Sequence, residues 1–153
     1  MKIMDILIKD AVILDLASKA KEGILDEMSQ ALAAADSSVS AERLLSVLIE
    51  REALQSTGIG EGVAIPHGKM AGLERLVASF ARSKEGVDFD SIDGQPTQLY
   101  FLLVVPEHSG GQHLKALARI SRFFRDPAFR EKLLDATCTE DIFRAIDEED
   151  AKF

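Results

Sequence analysis

The sequence predicts an α/β domain: a small mixed β-sheet covered by helices on both faces. Three observations carry that prediction. Residues Leu99 to Val105 read Leu-Tyr-Phe-Leu-Leu-Val-Val and are closed by Pro106, a nearly continuous apolar run that marks a central strand buried on both faces. Amphipathic helical patterns stand before and after that run, so helices are available to cover each face. The chain of 153 residues contains no internal repeat and no low-complexity segment, which fits one domain, 1–153, with a substantial core.

Taken in order, Met1 to Leu16 alternates loosely, with Ile6, Ile8, Val12 and Leu14 as inward positions of an extended edge segment. Ser18 reads as the N-cap of a helix carrying Ile24, Met28, Ala31, Leu32 and Ala35, which Asp36-Ser37-Ser38 ends. Ser40 caps a second helix with Leu44, Leu45, Val47 and Leu48 on its apolar face. A glycine-rich stretch follows, then a short strand over Leu76 to Ala81, a turn at Lys84-Glu85-Gly86 and a brief edge strand at Val87 to Phe89. Asp93-Gly94 with Pro96 is a turn signal leading into the central strand. Beyond a Gly-Gly loop, His113 opens an amphipathic helix with Leu114, Leu117, Ile120, Ser121 and Phe124 near one face. Asp126-Pro127 pairs an N-cap with proline at the first helical position, and Thr139 is the expected cap of a last helix with Ile142, Phe143 and Ile146 inward. The charged tail from Asp147 to Phe153 is expected to fray.

Charge and composition narrow the function. A net charge of −8 without clustered Lys and Arg argues against nucleic-acid binding, which draws on counterion release. It favours either plain solubility or a partner with a basic face. Cys138 is the single cysteine, so no intrachain disulfide is available and a reducing compartment is the natural home. No apolar run reaches the length of a membrane span and no secretory leader is evident, so the expected location is cytoplasmic, without direct membrane insertion.

The chemistry concentrates in Ser56 to Lys69, Ser-Thr-Gly-Ile-Gly-Glu-Gly-Val-Ala-Ile-Pro-His-Gly-Lys. Gly58, Gly60 and Gly62 leave the backbone bare for the close approach of another group. Pro66 holds Ile65 extended and aims His67, while Gly68 lets the chain turn away. An imidazole between two such punctuators is presented to a partner. The glycines match neither a P-loop nor a dinucleotide fingerprint, so no nucleotide cofactor is implied. Arg51 lies at the end of the preceding helix, where the macrodipole favours a cation with or without a further role. His113, at a helix start, either satisfies a backbone group or joins a site. With His108 these make the chain's three histidines, yet no metal-ligand spacing accompanies them and no metal is expected.

The Ser56–Lys69 stretch resembles the active-site signature of the type-2 enzyme IIA domains of the bacterial phosphoenolpyruvate-dependent phosphotransferase system, the fructose, mannitol and nitrogen-regulatory class. Leu48-Ile-Glu-Arg-Glu52 upstream and Phe89-Asp-Ser-Ile-Asp-Gly-Gln-Pro96 downstream fall in that family's order, and the latter is most like its nitrogen-regulatory members. The resemblance implies that His67 accepts a phosphoryl group at Nε2 from a histidine-bearing carrier of the HPr/NPr type. It places Arg51 and His113 beside the phosphate and leaves out His108, which falls in the variable part of its loop. The hydroxyls of Ser56 and Thr57 are further available donors, and Lys69, though able to attract phosphate, reads as a solvated cation. The chain differs at Gln55 and Glu61, where nitrogen-regulatory members usually have glycine and asparagine. Nδ1 of His67 is expected to be tied to backbone within its own loop, and Ile59, Val63, Ile65 and Met70 to form an apolar platform for the carrier, rimmed by Glu61 and Glu107. No cofactor is implied. Downstream, the phosphate is handed to regulatory protein targets, the reading favoured for a chain without linker or membrane segment, or to an enzyme IIB domain of a sugar permease. Two readings from other classes are a metal-assisted hydrolase using the three histidines and a non-catalytic anion-binding module.

Overall fold

Strand β5 (Thr97–Pro106) is the axis of the computed structural model, which describes Met1–Phe153, and it is buried throughout from Leu99 to Val105. Strand β4 (Val77–Val87) runs antiparallel along one side, with Phe80 opposite Phe101. On the other side β2 (Val63–Ala64) and β3 (His67–Met70) lie end to end, both parallel to β5, with Val63 opposite Leu99 and His67 opposite Leu103. Strand β1 (Gly58–Gly60) adds antiparallel to β2, so the sheet is mixed as predicted. Pro66 is the reason β2 and β3 are separate. It has no N–H for the ladder, and the N–H of Ile65 beside it turns away from β5 to donate to the carbonyl of Thr57 at 3.0 Å.

Alternation along β5 divides the interior into two cores. Leu99, Phe101, Leu103 and Val105 face α1 (Ile3–Ile6), α4 (Gln112–Arg125), α5 (Pro127–Asp135) and α6 (Thr139–Asp150). Tyr100, Leu102 and Val104 face α2 (Lys21–Ala35) and α3 (Ala41–Leu54). Tyr100 donates its hydroxyl to the Thr97 carbonyl at 2.7 Å, and burial pushes its pKa upward. Two predicted caps are present: Ser40 accepts from the Arg43 N–H, and Asp126, ahead of Pro127, accepts from the Ala128 N–H at 2.9 Å. Arg82, fully buried on β4, donates to the carbonyls of Leu133 and Ala136 at 3.0 and 2.7 Å, placing a cation at the end of α5 where the exposed carbonyls want one.

Five local expectations are corrected. The N-terminal segment is not a strand: α1 and a 3-10 turn (Lys9–Ala11) fold over the edge of β4, and the segment's strand-like pairing is limited to isolated bridges from Leu7 to Ala78 and Ile13 to Ala81. Its buried residues are Ile3, Ile6, Leu7, Ala11 and Leu16, while Ile8, Val12 and Leu14 are only partly covered. Helix α2 begins at Lys21 without a side-chain cap, because the Ser18 hydroxyl bonds Ala20 instead. Lys84-Glu85-Gly86 does not end β4; the strand bulges there and re-pairs at Val87 with Thr97, so only Val87 of the predicted separate edge strand is in a strand, and Asp88 and Phe89 are not. Cys138, not Thr139, precedes α6, with the Asp141 carboxylate accepting from the Thr137 N–H. The tail does not fray at Asp147. Helix α6 continues to Asp150, whose buried carboxylate accepts from the N–H groups of Ile3 and Met4 at 2.9 and 3.0 Å and from Arg119 at 2.9 Å.

Candidate functional site

Strand β3 pairs with β5 alone, so its outer edge is open, and the C-terminal end of α3 and the N-terminal end of α4 flank that edge. Between them lies a cleft of about 550 Å³ lined by Arg51 and Leu54 of α3, His67 and Lys69 of β3, and His113 and Leu117 of α4. A second recess of about 330 Å³ shares Arg51, His67 and Leu117 and extends past Ser56, Gly58 and Ile59. The imidazole of His67 therefore stands where the two hollows meet.

Local sequence explains how it gets there. Gly60, Glu61 and Gly62 all have positive φ, at 94°, 57° and 76°, and this left-handed run reverses β1 into β2 within one tight turn. Only Glu61 among them pays a side-chain steric cost for it. After Pro66, Gly68 allows β3 to press against α3, since a Cβ at that position would lie 2.5 Å from Cγ1 of Val47. The glycines thus serve backbone packing.

The ring is oriented by one bond. Nδ1 of His67 lies 2.8 Å from the carbonyl of Ile65. A carbonyl can only accept, so Nδ1 carries the hydrogen and Nε2 of the neutral ring holds the lone pair. This is the backbone tie expected from the sequence. The pKa of His67 is held below the ordinary imidazole value, chiefly by burial, with the charges of Arg51 and His113 acting in the same direction; the Ile65 carbonyl and Glu52 oppose them. The net result favours the neutral, nucleophilic ring at neutral pH.

Arg51, half-buried, donates to the Gln55 carbonyl at 2.8 Å, so it caps α3 and lines the cleft at once. His113 sits in the first turn of α4, its Nδ1 3.1 Å from the Gly110 carbonyl, which leaves Nε2 as the outer nitrogen. His108 is exposed in the turn before α4 and lines neither hollow. No group of three or more His, Cys, Asp or Glu side chains is gathered as a metal would need. No helix is long and apolar enough to cross a membrane.

Ser56 and Thr57 line the second recess, but their hydroxyls are committed elsewhere. Ser56 donates to the Phe89 carbonyl at 2.8 Å and accepts from the Gly58 N–H at 3.0 Å. Thr57 is buried and gives both its hydroxyl and its N–H to the Glu52 carboxylate. Each hydroxyl has one proton, so neither is a free donor to an anion in the cleft, and the role expected for them is corrected to one of anchoring the loop. The apolar platform also differs from expectation. Val63, Ile65 and Met70 are core residues, and only Ile59 of that set is exposed, at 42%. Exposed apolar surface around the site comes instead from Leu54 (82%), Ile92 (70%) and Leu114 (62%). Glu50, Glu61 and Glu107 are exposed as an acidic rim needs, whereas α4 carries Lys115, Arg119, Arg122 and Arg125 and no carboxylate. Leu54, Leu117 and Glu52 were not expected as site residues, although Leu117 reads as part of an apolar helix face and Glu52 as part of the Leu48–Glu52 motif. A leucine one residue beyond a helix's apolar face and a glutamate beside Arg51 look like ordinary helix surface until the loop packs on them.

With this geometry in view, comparison with known proteins is specific. Residues 5–149 match the family described as phosphoenolpyruvate-dependent sugar phosphotransferase system, EIIA 2. A nitrogen regulatory protein of Bradyrhizobium diazoefficiens is 40% identical over 146 residues, covering 95% of either chain. The fructose-specific EIIABC component of Bacillus subtilis is 39% identical over 98% of this chain, which spans only 24% of that longer protein. Among solved structures, nitrogen regulatory protein IIA-Ntr from Neisseria meningitidis superposes with a TM-score of 0.86 at 36% identity, covering 93% of this chain and 97% of its own. The mannitol IIA of Escherichia coli, at 19% identity and a TM-score of 0.76 over 90% of this chain and 96% of its own, shares the fold. The mixed sheet, the presented imidazole and these matches together place the chain in the type-2 enzyme IIA family of the phosphotransferase system.

Proposed function

We propose that the chain is a phosphocarrier in which His67 accepts a phosphoryl group from a phosphohistidine carrier protein of the HPr/NPr type and holds it as a regulatory signal. The observation that carries this reading is the Nδ1–Ile65 bond, which leaves the Nε2 lone pair open at the meeting point of two hollows beside Arg51 and His113. In the transfer, Nε2 attacks phosphorus as the P–N bond to the carrier's imidazole breaks. The electron pair stays on the carrier's nitrogen, whose ring leaves neutral because its other nitrogen carries hydrogen, and the His67 ring, keeping hydrogen on Nδ1, takes up the positive charge. A P–N bond replaces a P–N bond, so no oxidant or hydrolytic water is involved. Charge on the phosphoryl oxygens is met by the Arg51 guanidinium, by His113 and by the positive end of α4, donors already in position before the phosphate arrives.

A protein donor suits the surface. The cleft is open, and Leu54, Ile59, Ile92 and Leu114 expose apolar area around it, the mark of a transient docking face. The regulatory role draws support from the likeness to the nitrogen regulatory proteins. Delivery to a sugar-permease IIB domain is the second reading, favoured by the nearly equal identity to the fructose-specific component.

Incubation with phosphoenolpyruvate, the general phosphotransferase of the system and its carrier tests the proposal. The native chain gains one acid-labile, alkali-stable phosphate, His67→Ala gains none, and His113→Ala gains it at a rate lower by about 10- to 100-fold. Equal labelling of His67→Ala would refute the assignment.

A further inference from the structure

Arg51 and Glu52 are neighbours on α3, and successive helical residues point about 100° apart. Arg51 therefore faces the cleft while Glu52 turns under the glycine-rich loop, where its side chain is only 6% exposed. There the Glu52 carboxylate accepts the N–H of Thr57, at 3.1 and 3.2 Å from its two oxygens, and the Thr57 hydroxyl as well. Lys21 of α2 approaches the same carboxylate at 2.9 Å from the far side, with its ammonium 4.9 Å from the Phe89 ring centroid. Thr57 passes the constraint onward through its backbone. Its carbonyl accepts the Ile65 N–H at 3.0 Å, and the Ile65 carbonyl in turn accepts Nδ1–H of His67 at 2.8 Å.

We infer that Glu52 is a positioning residue for the acceptor histidine: through Thr57 and Ile65 it fixes the carbonyl that selects the Nδ1–H tautomer of His67 and so keeps Nε2 bare. The inference rests on the reading of His67 as the phosphoryl acceptor.

Backbone groups alternate sides along this segment: the carbonyls of Gly62 and Pro66 accept the N–H groups of Leu99 and Leu103 on β5, whereas the Ile65 N–H faces the loop and donates to Thr57. Ile65 itself is therefore held from the loop side. Thr57 lies in the segment between α3 and β1, where it has no regular secondary structure of its own. What ties that segment to the helical frame at Thr57 is the Glu52 carboxylate. Releasing it frees the Ile65 carbonyl to drift from the ring, and an imidazole without that acceptor exchanges its proton between the two nitrogens. A ring with hydrogen on Nε2 cannot attack phosphorus through that atom. Glu52 also supplies negative charge near His67, against the positive Arg51 and His113, so its acceptor and charge roles are separable by substitution.

Full-length protein labelled with 15N in histidine, unphosphorylated, provides the test through two-bond 1H–15N spectra across a pH titration. In the native chain neutral His67 carries hydrogen on Nδ1 alone. Glu52→Ala gives a mixture of tautomers and phosphoryl transfer slower by about 10- to 100-fold, the scale on which small misplacements act. Glu52→Gln, whose amide oxygen still accepts from Thr57, restores the single tautomer and most of the rate, while the His67 titration midpoint falls because the nearby negative charge is gone. A native tautomer in folded Glu52→Ala overturns the inference, as does a Glu52→Gln protein that loses the tautomer as completely as Glu52→Ala. Should Glu52→Ala not fold, Thr57→Val removes the hydroxyl bond and keeps the peptide; it is expected to raise the Nε2–H population, and native spectra would overturn the inference. The spectra need no phosphate, so a native chain that shows the tautomer but takes no phosphate contradicts the proposed function and leaves the relay standing.

Discussion

His67 combines two demands that pull apart, since an acceptor must be accessible to another protein and also held in one orientation. The ring satisfies both by being partly buried, with one nitrogen bonded inward to Ile65 and the other facing the cleft. Partial burial has a measurable consequence. Its folded pKa lies below the unfolded value of about 6.5, chiefly through desolvation, so the unfolded chain binds more protons as the medium is acidified. Stability is unaffected by this group above about pH 6.5 and is lost as pH falls from there to the folded pKa. The acceptor rate follows the same direction: an NMR titration or pH–rate profile should place the His67 midpoint below about 6.5, and a midpoint above that value would contradict the burial account. His67 itself was legible in the sequence because proline and glycine flank it. The committed hydroxyls of Ser56 and Thr57 were not, since a hydroxyl's partner is decided by which carbonyl or carboxylate the fold brings within reach, here those of Phe89 and Glu52.

At the scale of elements, the site depends on how closely β3 lies against α3. Gly68 sets that distance. Alanine there would place Cβ 2.5 Å from Cγ1 of Val47, forcing β3 and its histidine away from the helix that supplies Arg51. Gly68→Ala is expected to cost about 1–3 kcal/mol in denaturant unfolding and to slow phosphoryl transfer. Trimming the neighbour relieves the clash, so in Val47→Ala/Gly68→Ala the combined cost should be smaller than the sum of the single costs; strict additivity would show that the contact does not set the spacing. Long, uniformly apolar or strongly periodic elements such as β5, α3 and α4 were readable because their own residues decide them. Helix α1 and the end of β4 were misread because neighbours decide them: Asp150 caps α1 from the opposite end of the chain, and Thr97 recaptures Val87 after the bulge.

Across the whole molecule, two cores on opposite faces of one sheet are joined at the site, which draws Arg51 from the helices of one face and His113 from those of the other. The termini close the first of these cores. Asp150 is almost fully buried and satisfies two backbone N–H groups of α1 together with Arg119. Asp150→Ala leaves three donors without their partner and should lower the unfolding free energy by about 3–5 kcal/mol. Urea unfolding measures it, and a change below about 1 kcal/mol would mean that the latch is solvated rather than structural. This part of the fold was hidden from sequence because an acidic tail reads as solvated until its one buried carboxylate is located.

The atom of His67 that carries the phosphoryl group is read from the 15N and 31P spectra of histidine-labelled protein after phosphorylation by phosphoenolpyruvate, the general phosphotransferase and the carrier. A single phosphohistidine is expected, with phosphorus on Nε2 of His67 and hydrogen retained on Nδ1. Phosphorus on Nδ1, or on His113 or His108, would contradict it.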